Sequence, residues 1–128
     1  MSASAALIAI IDDDWPVLKA LDRQLRKRSF KTATFRSATE FLAKLPQERP
    51  DCLILDLRLP GLNGFELRER LRMRGSRIPI VFITGDGGPS PTDPAAHADT
   101  ESLAKPFSDN DLIAAISRAI SIRAAGVS

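Results

Sequence analysis

Asp51-Cys52-Leu53-Ile54-Leu55-Asp56-Leu57-Arg58-Leu59-Pro60-Gly61-Leu62-Asn63-Gly64 is the stretch on which the reading of this chain turns. Cys52 to Leu55 is apolar with no polar alternation, the pattern of a central strand covered by helices on both faces of a parallel sheet. The run stops at Asp56, and a Pro-Gly-x-Asn-Gly turn leads into the next helical pattern. In open α/β sheets ligands collect at the carboxyl ends of the strands. A carboxylate delivered there by a buried strand is a candidate reacting group.

The flanking segments repeat this design. Ala5 to Ile11 reads as a second buried strand ending in Asp12-Asp13-Asp14, with Asp14 placed to cap a helix whose first turn holds Pro16. Val17, Leu18, Leu21 and Leu25 then recur at helical spacing. Lys31 to Phe35 reads as a short strand. Ser37-Ala38-Thr39-Glu40 reads as a capping box opening a helix through Leu45. Phe65 to Arg74 is an amphipathic helix ending near Gly75, and Ile78 to Ile83 a fourth strand closed by Thr84-Gly85. Leu103-Ala104 is a brief fifth strand before Lys105-Pro106-Phe107, and a last helix runs from about Asp109 to Ala124 with Leu112, Ile113, Ile116 and Ile120 on its face. Strands alternating with helices imply an α/β fold, a doubly wound five-stranded parallel sheet with helices on both faces.

Length and composition set the class. The 128 residues fit one domain, spanning 1–128 with about 5–124 structured. A net charge of +2 does not argue for nucleic acid. The arginines at 68, 70, 72, 74 and 77 read as solvated helix positions. Cys52, the only cysteine, reads as a small buried hydrophobe, and its isolation suits a reducing, cytoplasmic setting. The apolar run at 5–11 is too short for a membrane span and lacks a basic leader.

Strand ends gather the chemistry: Asp12 and Asp13 from strand one, Asp56 from strand three, Thr84 from strand four and Lys105 from strand five. Crowded carboxylates need a cation, and hard oxygen ligands beside a phosphate point to Mg²⁺. Lys105 offers a point charge for a phosphoryl oxygen, and Thr84 offers a hydroxyl. Together they suit phosphoryl transfer to Asp56 as nucleophile.

These motifs, Ile11-Asp12-Asp13-Asp14, Asp56 to Gly64, Ile83-Thr84-Gly85 and Lys105-Pro106-Phe107, resemble the receiver domain of two-component response regulators, most closely receivers of helix-turn-helix transcriptional regulators. The resemblance implies a flavodoxin-like fold, a phosphoacceptor at Asp56 served by a histidine kinase or phosphotransfer protein, and no separate substrate to transform. It implies Mg²⁺ held by Asp12, Asp13, Asp56 and the Arg58 backbone carbonyl, with Thr84 and Lys105 on the phosphoryl oxygens. A cis Lys105-Pro106 bond and tuning of phosphate lifetime by Arg58 and Asp86 belong to the same expectation. So do signalling to an output domain or partner protein, no direct contact of this domain with nucleic acid or membrane, and a monomer or weak homodimer. Residues 121–128 read as the start of a linker, which leaves both a following helix-turn-helix domain and a single-domain regulator open.

The sequence departs from the family between Thr84 and Lys105. Residues 85–101 are rich in glycine and proline, so the helix expected there is short or irregular. Ser102 stands where relatives carry a switch aromatic, and His97 has no evident partner. An alternative reading is therefore a phosphorylation-independent interaction module using that degenerate face. An aspartate-nucleophile phosphohydrolase fits less well, because Arg58 occupies the position of its second acid.

Overall fold

The computed structural model describes residues 6–45, 49–57, 64–84, 100–104 and 107–126. Its elements are β1 (Leu7–Ile11), α1 (Trp15–Lys27), β2 (Lys31–Phe35), α2 (Ala38–Lys44), β3 (Cys52–Asp56), α3 (Gly64–Met73), β4 (Ile80–Thr84), β5 (Thr100–Ala104) and α4 (Asp109–Gly126). The five strands form one parallel sheet in the order β2-β1-β3-β4-β5.

Strand side chains alternate between faces, which explains why the central strands are apolar throughout. Ile8, Ile10, Cys52, Ile54, Val81 and Ile83 point to one face, where Leu18, Leu21 and Leu25 of α1 and Leu112, Ala115, Ile116 and Ala119 of α4 cover them. Ala9, Ile11, Leu53, Leu55, Ile80 and Phe82 point to the other, under Phe41 of α2 and Leu67 and Leu71 of α3. Right-handed crossovers account for this division. The chain leaves β1 toward β2 in one direction and returns from β2 to β3 in the other, so α1 and α2 take opposite faces. The crevice between the carboxyl ends of β1 and β3 is the switch point of this topology.

Local chemistry ends the elements where the sequence indicates. Asp14 caps α1, and Ser37 caps α2 by accepting the Glu40 amide at 3.1 Å. The Glu40 carboxylate reaches back to the Arg36 amide at 3.3 Å, one residue before the cap. Ser29 closes α1 with φ 70, and Gly75 closes α3 with φ 76.

Several boundaries differ from expectation by a residue or two, and three of them, with one side chain, have a physical reason. β4 begins at Ile80, since Pro79 lacks the N–H needed within a ladder. α3 begins at Gly64, whose amide donates to the Leu57 carbonyl. β5 extends over five residues although only Leu103 and Ala104 read as strand; its polar start, Thr100 to Ser102, suits an edge paired with β4 alone. Arg68 is buried rather than solvated, because it shares the inward side of α3 with Leu67 and Leu71.

Candidate functional site: an acidic crevice at the strand ends

The Asp12-Asp13-Asp14 run divides its labour. The Asp12 amide donates to the Phe35 carbonyl at 3.1 Å, tying the end of β1 to the end of β2. Asp12 Oδ1 accepts the Asp14 amide at 2.9 Å and bends the chain into α1. Asp14 turns away to cap that helix, accepting the Val17 amide at 3.5 Å. Asp12 is thereby buried, while Asp13 is exposed.

Asp56 arrives half-buried at the last position of β3, paired in register with Ile83. The Leu57 amide donates to the Ile83 carbonyl, and the Leu57 carbonyl accepts the Gly64 amide, both at 3.2 Å. These bonds return the chain to the base of α3 directly behind Asp56. An added Cβ on Gly64 would lie 3.1 Å from Leu57 Cα and 3.3 Å from the Asp56 carbonyl oxygen. A side chain here would have to push the Leu57 and Asp56 backbone back by a few tenths of an ångström.

Asp12, Asp13 and Asp56 each offer a carboxylate oxygen, and these oxygens lie within 4.8 Å of one another. Two unit charges at that spacing repel by about 3 kcal/mol at an effective dielectric of about 20, and by less where Asp13 meets water. Three hard oxygen donors so placed match a divalent cation that takes few carboxylates and keeps its waters. Thr84 is buried at the end of β4, one step beyond the Asp56–Ile83 pair. Lys105, Arg58, Asp86, His97, the Lys105-Pro106 bond and most of the 85–101 segment lie outside the described residues.

Two features beside the crevice, Gly64 and Arg68, escaped the sequence. Gly64 carries no signal beyond the turn. Arg68, one helical turn after Gly64, was hidden among exposed arginines, although its position beside Leu67 and Leu71 was the available clue. Trp15 is half exposed on the first turn of α1, with Lys19 Nζ 5.6 Å and Arg36 Cζ 5.7 Å from its ring centre. Since Arg36 follows Phe35, this cationic and aromatic group adjoins the Asp12 side of the crevice.

Residues 8–117 match the family described as response regulator receiver domain. The chain is 36% identical over 123 residues to the response regulator protein TmoT of Ectopseudomonas mendocina, a match covering 95% of this chain and 56% of that protein. It is 36% identical over 114 residues to the transcriptional regulatory protein FixJ of Bradyrhizobium diazoefficiens, covering 88% and 56%. Among solved structures, FixJ-N aligns with a TM-score of 0.79 at 33% identity, covering 94% of this chain and 96% of that one. A response regulator receiver protein from Burkholderia phymatum aligns with a TM-score of 0.77 at 38% identity, covering 91% and 95%. The chain spans about half the length of the first curated relatives it matches and about a quarter of the matched NtrC regulators. With its five-stranded parallel sheet and the acidic crevice of Asp12, Asp13 and Asp56, this chain belongs to the response regulator receiver family, a two-component signalling domain and not a conventional enzyme.

Proposed function

We propose that Asp56 accepts a phosphoryl group from a histidine kinase or phosphotransfer protein and that the domain signals by changing shape. The observation that carries this reading is the approach of the Asp12, Asp13 and Asp56 carboxylates to within 4.8 Å at the switch point of a receiver fold. In the transfer, an Asp56 carboxylate oxygen forms a bond to phosphorus while the bond from phosphorus to the donor breaks, its electron pair leaving with the donor group. Thr84 supplies a hydroxyl to the phosphoryl oxygens, and Lys105 supplies positive charge to them.

Asp12, Asp13 and Asp56, with the Arg58 backbone carbonyl, would hold Mg²⁺, a choice supported by the all-oxygen donor set. Bound Mg²⁺ neutralises charge that builds on the phosphoryl oxygens. Asp12 braces the loop through its bond to the Asp14 amide, so the acids keep their spacing before any donor arrives. Phosphorylation adds roughly −1.5 to −2 charges at pH 7. Residues 85–101 are the proposed responder to the engagement of the phosphoryl group by Thr84.

Residues 1–128 are proposed to act as one receiver domain in the cytoplasm, passing the signal to an output domain or partner protein. No helix among the described residues is long and apolar enough to cross a membrane. Intact mass after incubation with acetyl phosphate and Mg²⁺ tests the reading. A single phosphate adduct is expected in the wild type, absent without Mg²⁺ and absent from Asp56→Asn. An adduct that persists in Asp56→Asn would overturn the assignment of the acceptor.

A further inference from the structure

A run of positive charge lies away from the acidic crevice. Residues 70–77 carry four arginines and no acid, so the rest of the chain sums to −2. α3 starts behind Asp56 at the carboxyl ends of the strands and runs about 15 Å back along the sheet, at 1.5 Å per residue, so its C-terminal end lies toward the amino ends of the strands. Arg70, Met73 and Arg74 share one stripe there by their three- and four-residue spacing. Arg77 follows the Gly75 turn just before β4.

Arg70, Arg72, Arg74 and Arg77 are all exposed, and none pairs with a carboxylate among the described residues. Met73, between them, is 84% exposed. An added Cβ at Gly75 would meet nothing within 4 Å, so the surface is open on that side. Arginines near a helix C-terminus complement its dipole, and that alone accounts for cations at this place. It does not account for an exposed methionine at the centre of the stripe.

We infer that the Arg70, Met73, Arg74 and Arg77 face docks an acidic, amphipathic segment of a partner protein. Charge complementarity sets the sign of the partner. The apolar centre selects protein over nucleic acid: methionine and arginine are both enriched at protein interfaces, with the apolar contact central and the charges at the rim. A phosphate backbone would use the arginines and leave Met73 idle. Because the face lies toward the amino ends of the strands, a segment bound there leaves the Asp12, Asp13 and Asp56 crevice at their carboxyl ends open, and both can be occupied at once.

The test is fluorescence anisotropy on the whole 128-residue chain. One probe is a labelled helical peptide with glutamates flanking a leucine stripe, the second its lysine-for-glutamate counterpart, the third a labelled DNA duplex. The acidic peptide is expected to bind, more weakly as salt rises, and the lysine peptide is not. Arg70→Glu with Arg74→Glu should weaken the acidic peptide at least about tenfold, and Met73→Ala about threefold to tenfold. Asp56→Asn should bind like the wild type, which separates this inference from the phosphoacceptor reading. DNA binding that is lost with the charge reversals but indifferent to Met73→Ala would overturn the protein partner in favour of nucleic acid. No binding of the acidic peptide, or binding that survives both arginine reversals, would overturn the docking face itself.

Discussion

Two glycines, at 64 and 75, bound α3 and differ in why they are glycine. Gly64 faces backbone: a Cβ there would sit 3.1 Å from Leu57 Cα and 3.3 Å from the Asp56 carbonyl oxygen, and neither can swing aside as a flexible side chain can. Gly75 faces open space but holds φ 76, where a Cβ is disfavoured. Gly64→Ala should therefore cost about 1–3 kcal/mol through overpacking, and it should slow phosphorylation by acetyl phosphate because the strand end carrying Asp56 must shift. Gly75→Ala should cost about 1–2 kcal/mol through backbone conformation and leave phosphorylation unchanged. Urea midpoints with intact-mass phosphorylation kinetics check the pair. Equal kinetics in the two variants would show that Gly64 does not position the acceptor.

The elements end through hydrogen bonds and caps that hold the carboxyl rim in shape. At the other end of α1, Phe30 donates to the Leu25 carbonyl and Ser29 to the Arg26 carbonyl, a closure that places Ser29 in the left-handed region. A residue with a Cβ pays about 1 kcal/mol or more there, and glycine does not. Ser29→Gly should raise stability by about 0.5–1 kcal/mol, read as a higher urea midpoint with an unchanged m-value. Ser29 lies outside the crevice, so phosphorylation should be unaffected. At the far edge of the sheet, Arg118 Nε meets Glu101 Oε1 at 2.9 Å and fastens α4 to β5. Arg118 is largely solvated, so this pair guides the placement of α4 more than it adds stability.

Across the whole molecule, one sheet with both faces covered explains Cys52. Burial pushes its thiol from the usual 9.0 up to about 12, opposed by the Leu53 backbone and reinforced by Asp51. The folded chain holds this proton more tightly than the unfolded chain. The stability it contributes is intact below pH 9.0 and is lost as pH rises through about 12. Over that window the slope is about 1.4 kcal/mol per pH unit for one proton. Urea midpoints taken from about pH 8.5 to 10.5 should fall more steeply for the wild type than for Cys52→Ala. Parallel profiles would show that the thiol is not the group responsible. Much of this architecture was legible in the sequence. Short apolar runs gave the central strands, the 3.6-residue spacing gave the helices, and the acids closing the first and third runs marked the crevice where Asp12, Asp13 and Asp56 meet. Those signals are local, set by which side chains each segment must hide from water. The approach of three carboxylates to within 4.8 Å, the close approach of Gly64 to the Leu57 and Asp56 backbone, the burial of Arg68 and the strand character of Thr100 to Ser102 were not local. Each depends on crossover handedness, which sets the face a helix covers, or on which neighbour a strand meets, and only the assembled sheet decides those.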